Sequence, residues 1–242
     1  MQTAEFYDRE WTDQWQDMKT YSPVARHTRR LIEKLLGRLE YRSLIDIGCG
    51  NGELLRELDL DVDRIDLHGI DLSEAAVGLA GQHVPGRFRC LDIQRDFLRE
   101  SFDVGICSEV LEHLGDDRTA LRNIRNMCRF LIVTVPSGPL GSASLAMGHV
   151  RHYTRQDLIR KLSDAGFCVK YIRAWGTPFH DPLYAWIRGQ APTGTTTGRY
   201  GFLRRTVSHF LYLCFFLNVM DRGQKLFALA ERAVQSDTTK DP

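Results

Sequence analysis

With 242 residues, 43% hydrophobic and 26% charged, the chain has the size and balance of one large α/β domain, with or without a lid. A net charge of +1 gives no general electrostatic basis for binding nucleic acid, and no nucleic-acid partner is expected. Six cysteines, Cys49, Cys90, Cys107, Cys128, Cys168 and Cys214, lack CxxC or Cys/His ligand spacing, which speaks against a zinc site or a disulfide framework and for reduced thiols in the cytoplasm.

Residues 1–40 read as an N-terminal helical cap. Their start, MQTAEFYDREWTDQWQDMK, has no basic segment leading into an apolar run, so a signal peptide is not expected. Strands and helices then alternate. SLIDIG (43–48) is a buried strand, NGELLREL (51–58) a helix and IDLHGID (65–71) a second strand. SEAAVGLA (73–80) is a helix with Ser73 as its N-cap. RFRCLDI (87–93) and FDVGICS (102–108) are the third and fourth strands. Residues 112–128 form a helix with Leu121, Ile124 and Cys128 on one stripe, and FLIVTV (130–135) is a fifth strand ended by Pro136. TRQDLIRKLSDAGF (154–167) is a helix capped by Thr154 and stopped by Gly166, before the sixth strand, CVKYIRAW (168–175). This alternation predicts a parallel sheet with right-handed crossovers. The local pattern leaves QKLFALAE (224–231) open between a helix and a seventh strand. PTGTTTG (192–198) reads as a connector and the charged tail from Ser236 as low complexity. VSHFLYLCFFLNVM (207–220) is shorter than the roughly 18–20 apolar residues of a membrane span. It reads first as a buried lid helix. The second reading is a helix lying on a membrane or lining a site for a greasy substrate.

DIGCGNG (46–52) joins a strand to a helix, so its glycines let the backbone turn tightly and bring helix N–H groups to a ligand. The pattern is GxGxG, with Glu53 where a dinucleotide fingerprint carries its third glycine. Asp71 ends the second strand about 20 residues on, where a carboxylate can hold ribose hydroxyls. Asp92 ends the third strand and Glu109 follows the fourth.

In this order LIDIGCGNGELL, GIDLS, LDI, FDVGICSEVLEHL and VTVPSG resemble a class I S-adenosylmethionine-dependent methyltransferase, over roughly residues 40–175. The likeness is greatest to the small-molecule branch that includes the ubiquinone-biosynthesis O-methyltransferases. It implies an α/β, Rossmann-like, doubly wound seven-stranded sheet with its last strand antiparallel. The organisation expected is a single domain: cap (1–40), cofactor-binding core (41–175), helical aromatic insertion (176–222), then last strand and tail (223–242). The resemblance also implies S-adenosylmethionine as cofactor and S-adenosylhomocysteine as product. Asp46, Gly48, Cys49 and Gly50 would meet the methionine part, and Asp71 the ribose. Leu72, Asp92 and Ile93 would border the adenine, with Ser108 and Glu109 under the sulfonium. YSPVARH (21–27) resembles the entry helix, and Arg26 is its candidate for the cofactor carboxylate.

Methyl transfer needs a protein base only where the nucleophile carries a proton. Four histidines are candidates. His113 stands i, i+4 from Glu109 in EVLEHL, a stretch that also serves as cofactor floor. His149 and His152 flank Arg151 in GHVRHYT (148–154), where they contact substrate or pin the loop. His180 neighbours Asp181 in GTPFHDPLY (176–184). No acidic or cysteine partner lies near His149 and His152 in sequence, so no metal is expected. Aromatic residues crowd the flanks, among them Phe6, Tyr7, Trp11 and Trp15 before the core and Tyr200, Phe210 and Phe216 after it. They serve as core or wall an apolar acceptor pocket. The expected function is methyl transfer to a small or lipid-like acceptor, first at a hydroxyl or carboxyl oxygen in secondary-metabolite or lipid biosynthesis. The alternatives are N- or C-methylation of a small molecule, and a non-catalytic cofactor-binding partner protein. The expected setting is the cytoplasm, with peripheral membrane contact through 207–220 as the second reading. Acceptor identity and oligomeric state are not legible.

Overall fold

The computed structural model describes residues 16–190 and 199–233, together with Glu5 and Asp8. Among the described residues the cap helices α1 (Gln16–Tyr21) and α2 (Pro23–Leu36) precede the sheet. The core runs β1 (Ser43–Ile47), α3 (Glu53–Glu57), β2 (Asp66–Asp71), α4 (Glu74–His83), β3 (Arg87–Cys90) and β4 (Phe102–Ser108). It continues with a 3-10 turn (Leu111–His113), α5 (Asp117–Met127), β5 (Cys128–Pro136), α6 (Ser142–Ala146), α7 (Arg155–Asp164) and β6 (Phe167–Trp175). In the insertion, the described helices α8 (His180–Gln190) and α9 (Phe202–Phe215) lead to β7 (Lys225–Arg232).

The strands form a seven-stranded sheet in the order β3-β2-β1-β4-β5-β7-β6. β3 through β5 pair in parallel, and β7 runs antiparallel between β5 and β6. The apolar runs are strands buried on both faces, as parallel sheets require. Successive side chains alternate between two cores. Ile45, Ile47, Leu131 and Val133 point into one, with α5 (Leu121, Ile124) and α7 (Leu158, Leu162). Leu44, Ile132 and Phe227 point into the other, with α2 (Leu31, Ile32, Leu35), Trp175 and Phe215. Three helices start on side-chain caps. Ser73 accepts from the Ala76 N–H (3.0 Å), Asp116 from Thr119 (3.0 Å) and Thr154 from Asp157 (3.1 Å).

The expected seven-stranded fold with an antiparallel last strand is present, and QKLFALAE resolves as that strand. Two expectations change. The helix read over 112–128 begins only at Asp117, because Glu109 takes a left-handed conformation (φ 59°) and residues 111–113 close a 3-10 turn before the Asp116 cap. The buried lid helix over 207–220 is not what the chain forms. α9 buries Ser208 and Phe215, but Phe202, Phe210 and Leu217 are 89%, 64% and 65% exposed. No helix among the described residues is long and apolar enough to cross a membrane. Residues 192–198, the tail from Ser236, and Phe6, Tyr7, Trp11 and Trp15 lie outside the described residues.

Candidate active site

The strand order reverses between β1 and β4, which opens a crevice at their carboxyl ends. The glycine loop after β1 forms one wall. Gly48, Gly50 and Gly52 have φ of 75°, 53° and 79°, in the left-handed region that glycine enters without a Cβ penalty. The Gly48 and Cys49 N–H groups both donate to the Ile70 carbonyl (2.8 and 3.0 Å), tying the loop to β2. Asp71 continues that tie: Oδ2 accepts from Gly50 N (2.8 Å) and Oδ1 from Ser73 N (3.0 Å). A carboxylate has lone pairs beyond those two bonds, so holding the loop is compatible with accepting from a ligand hydroxyl.

The crevice itself is lined by Thr28, Arg29, Asp46, Gly48, Cys49, Asn51, Glu53, Ser108, Glu109 and Lys225, among others. Asp46, predicted here, is buried at its floor. Burial first, then the charges of Asp46 and Asp71, push the Cys49 thiol well up, so it stays a thiol. Ser108 and Glu109 meet β5 through Thr134. Ser108 Oγ lies 2.8 Å from Thr134 Oγ1, whose hydroxyl donates to Glu109 Oε1 at 3.0 Å. The other Glu109 oxygen pairs with Lys225 Nζ at 3.0 Å.

Two basic residues of this crevice escape sequence reasoning. Lys225 opens β7 and is set opposite Pro136 by antiparallel pairing, a long-range fact with no local signal. Arg29 replaces the predicted Arg26 at the pocket wall. Arg26 instead stacks on the Tyr212 ring, 3.6 Å from its centroid, with Nη1 3.3 Å from His209 Nδ1. Arg29 lies nearly one helical turn on and is held by the Thr20 carbonyl (3.1 Å) and Glu57 (4.0 Å). Burial pulls its pKa below the usual value, and Glu57 and Glu53 oppose that shift. The residues expected at the adenine stand further along the sheet edge, after β2 and β3. Leu72 is half-buried, Ile93 is buried, and Asp92 accepts from Gln94 N (3.0 Å) and pairs with Arg95 (3.2 Å).

The predicted histidines divide. His180 bonds Asp181 (Nδ1 to Oδ1, 2.8 Å) but stacks on Trp175 and meets the Tyr184 ring at a tilt in the insertion core, outside the crevice lining. The other three converge. His113 and His149 meet edge to face with centroids 4.8 Å apart, and His149 Nδ1 lies 3.1 Å from His152 Nε2. His152 Nδ1 faces the Gly138 carbonyl at 3.3 Å and must donate to it, since a carbonyl only accepts. In the neutral tautomer its Nε2 then accepts from His149 Nδ1–H, which leaves the lone pair of His149 on Nε2. Desolvation, with the His113 charge second, pushes His149 down to about 3, and opposing charges on Glu109 and Lys225 also reach it.

The segment carrying His149 is pinned to the EVLEHL turn. Val150 N donates to the Glu112 carbonyl (2.8 Å), and Arg151 donates to the Leu114 carbonyl and to that of Gly115 (2.9 Å). Tyr153 OH donates to the buried Asp117 carboxylate at 2.6 Å, which Lys161 also holds. Arg151 and Tyr153 fix the loop, and the two histidines project from it. Although no acidic partner stands near them in sequence, the fold supplies Glu112. Among the described residues Glu112, His113 and His149 each offer a ligand atom, all within 4.8 Å of one another.

Residues 45–129 match the family model described as a methyltransferase domain. The chain is 28% identical over 119 residues to a ubiquinone biosynthesis O-methyltransferase of Bordetella avium, covering 46% of this chain and 48% of that one. It is 27% identical over 115 residues to a malonyl-[acyl-carrier protein] O-methyltransferase of Bacillus anthracis, covering 43% of each. The chain thus spans about half the length of the curated relatives it matches. Among solved structures, the N-methyltransferase NodS of Bradyrhizobium japonicum, in complex with S-adenosyl-L-homocysteine, superposes with a TM-score of 0.62. The identity is 18%, over 94% of this chain and 97% of that one, a likeness of fold.

Proposed function

We propose that the chain, whose residues 45–129 match a methyltransferase-domain model, transfers a methyl group from S-adenosylmethionine to a small or lipid-linked acceptor, at an oxygen. One observation carries the reading: a glycine loop held in left-handed conformation beside buried Asp46, with Arg29 and Lys225 closing the same crevice. The residues fit the cofactor. A Cβ at Gly48 would run into Val110, so only glycine lets the loop pack against that side chain in the left-handed conformation that shapes the crevice wall. Arg29 supplies a cation for the methionine carboxylate and Asp46 a carboxylate on the side of its amino group. Asp71 takes the ribose hydroxyls, Leu72, Asp92 and Ile93 border the adenine, and Ser108 and Glu109 floor the reacting end. Bound there, the cofactor supplies an electrophilic sulfonium methyl, and positioning of the nucleophile provides much of the rate.

His113, His149 and His152 cluster beside the crevice, where charges on two of its lining residues, Glu109 and Lys225, reach His149, and we assign them to the acceptor side. A hydroxyl sheds its proton as its oxygen attacks, whereas an ionised carboxyl needs no base. Incubation with cofactor and panels of hydroxyl, carboxyl and amine acceptors, read by mass spectrometry, tests the assignment. Methylated alcohols or acids are expected. Methylated amines alone would replace it with N-methylation, and cofactor binding without any product would favour the partner-protein reading.

The exposed face of α9 supports the lipid-linked class and a peripheral contact with an anionic lipid surface. Leu203, Val207, Phe210 and Leu213 recur at helical spacing on that face, exposed Leu217 follows in the turn after it, and residues 199–220 carry Arg199, Arg204 and Arg205 but no acidic residue. α9 packs on α2, the helix that brings Arg29 to the crevice. Sedimentation with anionic vesicles, weakened by Phe210→Asp and by salt, is expected. Equal sedimentation of Phe210→Asp and the parent would refute the contact.

A further inference from the structure

We propose that Lys225 binds the acceptor and selects for an ionised carboxyl group, which is converted to its methyl ester. The inference rests on the methyl-transfer reading of the crevice and narrows its acceptor. Lys225 is the first residue of β7, paired with Pro136 at the end of β5 and Trp175 at the end of β6. Antiparallel β7 thereby sets its ammonium at the carboxyl edge of the sheet, where ligands bind in doubly wound folds. The side chain is only 10% exposed and lines the crevice. An ammonium carries three N–H donors. Among the described residues one carboxylate oxygen, Glu109 Oε2 at 3.0 Å, stands against them. The remaining donors sit in a nearly buried place, where an unmet donor is costly and an anionic ligand is favoured. Glu109 is itself fixed, by the Thr134 hydroxyl on its other oxygen (3.0 Å) and by its left-handed backbone.

Charge favours the same class of acceptor. Glu109 and Lys225 cancel one another, so a bound sulfonium leaves the reacting end with one positive charge in excess. A carboxylate neutralises that charge, and an alcohol or an amine does not. The neighbouring histidines agree. Desolvation first pushes His149 down to about 3, which makes it a weak proton acceptor near pH 7. Both ring nitrogens of His152 are engaged, one with the Gly138 carbonyl at 3.3 Å and the other with His149 at 3.1 Å. A carboxylic acid is already ionised at neutral pH and needs neither of them. One of its oxygens attacks the methyl carbon while the carbon–sulfur bond breaks, with the electron pair of that bond going to sulfur. The products are the ester and S-adenosylhomocysteine, and no proton moves. Lys225 keeps its protons throughout and orients the carboxylate.

The test uses the full chain saturated with S-adenosylhomocysteine and titrated by calorimetry with benzoate and octanoate, beside benzyl alcohol and octanol. The acids should bind the parent at least about tenfold more tightly than their alcohols. Lys225→Met should lower acid affinity at least about tenfold while alcohol and S-adenosylhomocysteine affinities stay unchanged, a split that a purely structural ion pair would not produce. Should Lys225→Met fail to fold, Lys225→Gln, which keeps an N–H donor for Glu109, takes its place. With S-adenosylmethionine, mass spectrometry should find the methyl esters of the acids. Equal acid affinity in parent and variant would overturn the proposal, as would absence of acid binding to the parent or methyl ethers as the only products. Any of these results beside intact S-adenosylhomocysteine binding overturns the role of Lys225 alone. Failure of S-adenosylhomocysteine to bind the parent overturns the methyl-transfer reading beneath it.

Discussion

Gly48→Ala isolates the conformational demand of the crevice wall. At φ 75° the new residue sits in the left-handed region, which costs a non-glycine residue about 1–2 kcal/mol. Its Cβ would overlap Val110 Cγ2 and lie 3.4 Å from Cγ1, so Val110 or the loop must move, an overpacking worth about 1–3 kcal/mol. The sum is roughly 2–5 kcal/mol of stability. With an m-value of about 2–3 kcal/mol/M, the urea midpoint should fall by about 1–2 M. Gly78→Ala is the internal control. It lies in α4, where an added Cβ meets nothing within 4 Å, and should stabilise by about 0.4–1 kcal/mol. Urea unfolding of both variants beside the parent gives the comparison, with calorimetry of S-adenosylhomocysteine on the folded fraction. If Gly48→Ala unfolds within about 0.5 kcal/mol of the parent, the size expected of a neutral surface change, the close-approach reasoning is refuted.

Arg29→Ala should weaken S-adenosylhomocysteine by roughly tenfold or more, the loss of a charge-assisted contact, while Arg26→Ala changes affinity little. Calorimetry showing the reverse order would restore Arg26 as the carboxylate partner. His27 is fully buried between α2 and the insertion, donates from Nε2 to the Tyr212 carbonyl (2.8 Å) and has its pKa lowered to about 4, by burial first and then by the charges of Arg30, Arg26 and His180. Its native state therefore favours the neutral ring, and the unfolded chain takes up the proton first as pH falls. The stability is intact above about pH 6.5, falls through the window down to about 4, and is flat below it, a loss of about 3 kcal/mol from this group. Urea unfolding across that window should show a shallower slope for His27→Gln, and parallel slopes would contradict the assignment.

Much of the core was legible because buried parallel strands are short apolar runs punctuated by glycine, proline and caps. Ser73 and Thr154 cap their helices as read from sequence. The last strand was not, since LFALAE suits either period, and only pairing with β5 and β6 decides it. EVLEHL illustrates the limit at finer scale. Read as a helix start, it pairs Glu109 with His113. The left-handed Glu109 and the 3-10 turn break that register, so Glu109 goes to Lys225 and Glu112 joins His113 and His149. Arg29 and Lys225 face one crevice from segments nearly two hundred residues apart, which no local pattern announces. The apolar run over 207–220 was visible as such, but hydropathy does not say which way its face turns, and here that face meets solvent.

Calorimetric titration of S-adenosylhomocysteine into the parent chain, Asp46→Ala and Asp71→Ala bears most directly on the central claim. Saturable one-to-one binding to the parent, lost in both variants while each remains folded by circular dichroism, is the predicted result. Unchanged affinity in both variants would contradict it.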